Sequence, residues 1–250
     1  CRINMSKSNT EARRIAILQS CYIPWKGYFD IIGSVDEFVI YDDVQYSKNH
    51  WHNRNRIKTP AGPAWLTIPV SKAEGAFQPI DQVTIAQPFA AKHWRTIAQN
   101  YAKAPFMGTV GPMLEQLFEQ AATMRRLSEI NLIFLRAISD YLGFKTRFTF
   151  SSELAVEGGQ TERLVNICRK LCATHYLSGP SAENYIDQTA FKTAGIALEW
   201  MDYSGYPQYR QMHGDFVHAV SIVDLLLNTG PQARSYMKAP FSASTPEGSA

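Results

Sequence analysis

Short apolar runs alternate with amphipathic stretches along most of the chain. The run IAIL at 15–18 is too short for a buried helix and reads as a strand. In YFDIIGSV at 28–35, Phe29, Ile32 and Val35 recur at three-residue steps and share one helix face. EFVIYDDV at 37–44 reads as a buried strand that runs into two carboxylates. Strand, turn, helix and strand in that order form a βαβ unit, which points to a parallel sheet. WLTIPV at 65–70 is a further strand, with Gly62–Pro63 marking the turn before it.

The middle of the chain is helical, with apolar residues at three- and four-residue steps over 92–104, 112–124 and 128–143. Ser128 suits the N-cap of the last helix and Gly143 its end. TRFTFSS at 146–152 returns to strand, and 161–173 forms a helix with Leu164, Ile167, Cys168, Leu171 and Cys172 on its apolar side. HYLSG at 175–179 and ALEWMDY at 197–203 are strands on either side of a short helix near 188–194. SIVDLLLNTG at 221–230 is a helix stopped by glycine. The pattern predicts an α/β fold: a three-layer domain over 15–236 with a mainly parallel sheet and a helical insertion at about 90–143. Flexible segments are expected at 1–14 and 237–250, the latter from the composition of FSASTPEGSA.

Composition narrows the function classes. A net charge of +3 over 250 residues is too mild for a general nucleic-acid binder. No apolar run approaches the roughly 20 residues of a membrane helix, and no secretory pattern opens the chain, so a cytoplasmic location is expected. Met5 is the expected start, which leaves Cys1 outside the functional argument. Cys21, Cys168 and Cys172 include no CxxC pair and suit a reducing compartment. Cys168 and Cys172 read as core residues, and Cys21 is the one thiol near a candidate site.

Ligands of open parallel sheets bind beyond the carboxyl ends of the strands. Gln19, Asp42, Asp43, Ser151, Ser152, Glu153, Ser178, Gly179, Asp202 and Tyr203 are all expected there. Between Val44 and Ala73 the chain has no acidic residue, yet it carries Lys48, Arg54, Arg56, Lys58 and Lys72. Arginine forks match phosphate or carboxylate oxygens, Asn53 and Asn55 can orient a neutral polar group, and Trp51 offers a stacking face. Together they suit an anion with a ring-bearing polar body, such as a nucleotide or sugar nucleotide. The competing reading is a solvated basic loop held to the core by Trp51. Asp42 and Asp43 are the candidate catalytic residues, able to accept a proton or, with a phosphate substrate, to hold magnesium. Otherwise one caps the strand end and the other pairs with Arg54 or Arg56. His50 and His52 point to opposite sides if the segment is extended, and no zinc signature, P-loop or nucleophile elbow occurs. No metal ligand set is assigned and the cofactor is left open.

The stretch ILQSCYIPWKGYFDIIGSVDEFVIYDDVQYSKNHWHNRNRIKTPAGPAWLTIPV resembles the start of WbqC-like proteins. The likeness continues through HW at 93–94, NYAKAP at 100–105, LSEINLIFLRAISDYLG, YLSGPSAENYI at 176–186, DYSGYPQY at 202–209 and SIVDLLLNTG. Ser20–Cys21 departs from the family pattern, where a proline follows the glutamine. The resemblance implies a role in O-antigen or other surface-polysaccharide synthesis, through glycyl or other acyl transfer to a nucleotide-linked amino sugar. It carries over no catalytic residue. The expected ligand is a sugar nucleotide or other anionic small molecule, bound by Gln19, Gln45, Trp51, Asn53, Arg54, Arg56, Ser178 and Tyr185. ATP-dependent adenylyl transfer and a non-catalytic binding or scaffold protein are the alternatives.

Overall fold

The computed structural model describes residues 12–71 and 77–240. The tail from Phe241 onward, most of the expected flexible N-terminus, and Lys72 of the basic segment lie outside the described residues. Five strands form one parallel sheet: β1 (Arg14–Leu18), β2 (Glu37–Ile40), β5 (Arg147–Phe150), β6 (His175–Ser178) and β7 (Ala197–Trp200). Their spatial order is β5-β2-β1-β6-β7, with Ile15 opposite Glu37 and Leu18 opposite Ile40 in the central pair.

Both faces of the sheet are covered, which explains why its strands read as near-continuous apolar runs. Strand alternation sends Ala16, Phe38, Ile40 and Leu177 to one face. There they pack in one core with α1 (Lys26–Gly33), α4 (Leu127–Tyr141) and α7 (Ile222–Thr229). Ile15, Ile17, Val39 and Tyr176 face the other way, against α5 (Gln160–Lys170) and α6 (Gln188–Thr193). This is the expected three-layer α/β arrangement. Helices α2 (Ala90–Asn100), α3 (Met107–Ala122) and α4 follow one another before the chain returns to the sheet. The described chain is tied down at its C-terminal end, where Lys238 and Ala239 donate their backbone N–H groups to Asp30 at 2.8 and 2.7 Å.

Four expectations need correction. The polar segment after Trp51 is not a loop: β3 (Arg54–Thr59) pairs antiparallel with β4 (Gly62–Thr67), so Gly62–Pro63 sits inside the hairpin. Ser128 lies within the first turn of α4 and leaves the N-cap position to Arg126, because its hydroxyl is bonded to Asp42 instead. Helix α3 begins at Met107, upstream of Pro112; burial of Val110 holds the extra turn, and proline removes a single N–H. Helix α5 stops at Lys170, so Cys172 sits past its end with φ +54° and is exposed, while Cys168 is buried as expected.

Among the described residues, no helix is long and apolar enough to cross a membrane.

Candidate functional site

From β1 the chain passes to β2 on one side, while β6 joins β1 on the other. The crevice beyond the carboxyl ends of β1 and β6 is therefore the topological switch point, where open α/β sheets hold their ligands. A cleft of about 670 Å³ lies there. Its floor is Leu18, Gln19, Ser178 and Gly179, and the first turn of α5 reaches it through Gln160. Rings form the walls: Trp25, Tyr28, Tyr41, Trp51, Tyr185 and Tyr203. No Lys, Arg, Asp or Glu is among the described lining residues.

The turn from Gln19 to Trp25 shapes this cleft and is held in a costly conformation. Ile23 has φ +36°, a left-handed backbone that a β-branched residue rarely adopts. Its carbonyl accepts from Asn55 Nδ2 at 3.0 Å and from Ser221 Oγ at 2.7 Å. The same Asn55 amide reaches the Tyr22 carbonyl at 3.1 Å, and Trp51 accepts from the Tyr22 N–H at 3.0 Å. Asp42 takes the Ser20 N–H at 2.7 Å and the Ser128 hydroxyl. Asn131 donates to Ser20 Oγ and to the His52 carbonyl, both at 2.9 Å. At the end of the turn, Gly27 lets the Trp25 indole lie against the start of α1; a Cβ there would stand 2.3 Å from the ring.

His52 belongs to this clamp. Its Nδ1 lies 3.0 Å from the Ser20 carbonyl, which can only accept, so Nδ1 carries the proton. Burial pulls its pKa down to about 4, with the Ser20 bond opposing, and the ring is neutral at pH 7. The His50 ring lies 4.6 Å from it, so the two do not diverge as expected; a compact turn replaces the extended segment. His50 lines the cleft, and burial together with Arg54 lowers its pKa.

The remaining candidates divide clearly. Gln19, Trp51, Ser178 and Tyr185 are brought together in the cleft. Arg54 and Arg56 stand on the outer face of the hairpin, 4.3 and 5.5 Å from the Trp65 ring. Trp65 in turn lies 5.4 Å from Trp51, tilted by 37°, so a row of adjoining groups leads from the arginines to the cleft. Asn53 is buried and donates to the Ile68 carbonyl at 2.8 Å. Gln45 is exposed, donates to the Tyr46 carbonyl at 3.0 Å, and is not in the cleft lining.

Asp42 is 1% exposed and does not line the cleft; burial raises its pKa, while the Ser128 and Ser20 bonds act the other way. Asp43 pairs with Arg163 rather than with Arg54 or Arg56, and accepts from Ser151 at 2.5 Å. Cys21 lines the cleft, but burial, reinforced by Asp42, pushes its pKa up and keeps the thiol protonated. No cluster of three or more His, Cys, Asp or Glu side chains able to hold a metal occurs among the described residues.

Trp25, Tyr28, Tyr41, His50 and Gln160 lie outside the residues expected to bind the ligand, whereas Tyr203 is expected at this end from its place after a sheet strand. Gln160 carries no such signal, because the chain reaches it through the short 3-10 turn Ser151–Leu154 and a Gly158–Gly159 pair.

A protein from Mycobacterium tuberculosis that carries the description "uncharacterized" is 44% identical over 228 residues, which cover 90% of this chain and 98% of the relative. No solved structure matches the chain. The WbqC-like protein family matches residues 19–236, and the chain belongs to that family.

Proposed function

We propose that the protein is a transferase that acylates the amine of a nucleotide-linked amino sugar during surface-polysaccharide synthesis. The observation that carries this reading is an uncharged, ring-walled cleft at the switch point, joined by Trp51 and Trp65 to two arginines outside it. Sugars present apolar C–H faces and many hydroxyls, which suit tyrosine and tryptophan rings beside Gln19, Gln160 and Ser178. The diphosphate passes over Trp51 to the guanidinium groups of Arg54 and Arg56, which stack beside Trp65 on the hairpin.

In the reaction, the sugar amine attacks the acyl carbon of an activated donor. The C–N bond forms, the bond from carbon to the donor's sulfur or oxygen breaks, and the amine proton passes to the neutral His50 imidazole. His50 then returns that proton to the leaving group. The protonated state of Cys21 favours direct transfer over an acyl-enzyme intermediate.

Calorimetric titration with UDP- and dTDP-linked amino sugars tests the reading. Saturable binding that Trp51→Ala and Ser178→Leu both weaken at least tenfold is the expected result. Failure of every such sugar nucleotide to bind would overturn it.

A further inference from the structure

A second chamber of about 270 Å³ lies against the sugar cleft. The two share Cys21, Trp25, Tyr28 and Trp51, so these four side chains line both compartments. We infer that this chamber is the subsite for the acyl group of the second substrate, and that it selects a short uncharged acyl chain. The inference rests on the transferase reading above and adds where the donor's acyl end lies.

The chamber's chemistry favours that occupant. Asn55 is its most polar residue, yet its groups are spent inside the protein. Nδ2 serves the Tyr22 and Ile23 carbonyls, and Oδ1 accepts from the Arg56 N–H at 2.8 Å. The Tyr28 hydroxyl, on the shared wall, donates to the Gln19 carbonyl at 2.8 Å. What remains toward the space is indole, phenol ring, Pro24, Ala219 and a protonated thiol. His218 is the exception, and burial together with nearby Lys26 lowers its pKa, so it adds no positive charge at neutral pH. A phosphate, a carboxylate or a free sugar would leave polar groups unpaired there, whereas methylene groups would not.

The chamber's position fits a two-substrate reaction. An acyl chain seated against Pro24 and Ala219 directs its carbonyl carbon toward the shared edge at Trp25 and Trp51. An amine in the neighbouring cleft approaches that same edge, which is the proximity that bimolecular transfer requires. The strained turn at Ile23 has a role in this arrangement: it places Pro24 and Trp25 so that one turn serves both compartments.

The test uses N-acetylcysteamine thioesters of acetate, butyrate and hexanoate, titrated calorimetrically into the full chain. Affinity is expected to rise about fourfold per added methylene until the chamber is full. Ala219→Phe fills the chamber from a residue that does not line the sugar cleft, and should abolish the chain-length dependence. The same variant should bind UDP-amino sugars within twofold of wild type, which also reports that it folds, and Ala219→Ser should behave as wild type. Thioester affinity that does not vary with chain length, or that survives Ala219→Phe, would overturn the inference. Chain-length-dependent binding without sugar-nucleotide binding would sink the transferase reading and leave the apolar chamber standing.

Discussion

The hairpin of β3 and β4 and the carboxyl edge of the parallel sheet meet at the turn from Gln19 to Trp25, but they contribute in opposite ways. The sheet edge supplies a cleft from single residues far apart in sequence: Gln19, Gln160, Ser178 and Tyr203. The hairpin supplies a dense local motif, and most of it is structural. Inward-facing Asn55, with Asn53 and His52 just before it, closes hydrogen bonds onto the turn and the core. Only its outward face, Arg54, Arg56 and Trp65, is turned toward possible ligands. A cluster of polar side chains in sequence therefore need not be a cluster around a ligand. Alternation along a strand divides it between holding the site and meeting what binds there.

Asp42→Ala is the sharpest way to separate those two roles. It removes the acceptor for two donors, the Ser20 N–H and the Ser128 hydroxyl, in a fully buried place. At about 1–3 kcal/mol for each group left unpaired, the loss is about 3 kcal/mol, or roughly 6–12 °C in melting temperature. Asp43→Ala removes the partner of Arg163 and the acceptor of the Ser151 hydroxyl, but at a place that keeps about a fifth of its surface open to water, and should cost about 1–2 kcal/mol. Calorimetric melting of both variants checks the contrast, and equal losses would mean that Asp42 is not the structural member of the pair.

The next effect in size belongs to the outward face. Arg54→Ala combined with Arg56→Ala should weaken sugar-nucleotide binding more than tenfold while leaving the free amino sugar's affinity unchanged. If both ligands lose affinity equally, the arginines support the hairpin rather than the phosphates. Trp51→Ala should cost about tenfold for both ligands, since its ring borders the cleft itself. Melting temperature should fall little in that variant, because Trp51 is 39% exposed.

The parallel strands were legible because burial on both faces leaves mostly apolar residues to write them with, as in IAIL and the FVI of EFVI. The hairpin strand RNRIKT was not, because its buried positions include Asn55 and Lys58. Lys58 hides its stem and donates its ammonium to the Asp215 carbonyl at 2.5 Å, a partner 157 residues away that no local pattern can announce. The cleft was legible as a location, through the rule for sheet ends, and in part as residues. Gln19 and Ser178 follow strands directly, whereas Gln160 and His50 reach the cleft through turns whose geometry depends on the finished fold.

The smallest expected effect tests whether the clamp on the turn is held by neutral imidazoles. His93 is 5% exposed, its Nδ1 is 2.9 Å from the Tyr22 hydroxyl, and burial lowers its pKa to about 4. His52 is shifted to about the same value. With folded values near 4 and an unfolded value near 6.5, the unfolded chain binds more protons between those limits. The stabilising contribution is therefore complete above pH 6.5 and is lost as pH falls toward 4. The raised pKa values of buried Asp42 and Asp224 act in the opposite sense, so comparison of variants near neutrality isolates the histidines. From pH 7 to pH 6, His93→Gln should lose less stability than wild type by roughly 0.7 kcal/mol, measured by urea unfolding at each pH. An unchanged difference between the two proteins would mean that His93 is protonated alike in both states. Tyr22 would then be held by an imidazole that titrates as in the unfolded chain, and the turn's clamp that stays neutral through this range would reduce to His52 and the amides of Asn55 and Asn131.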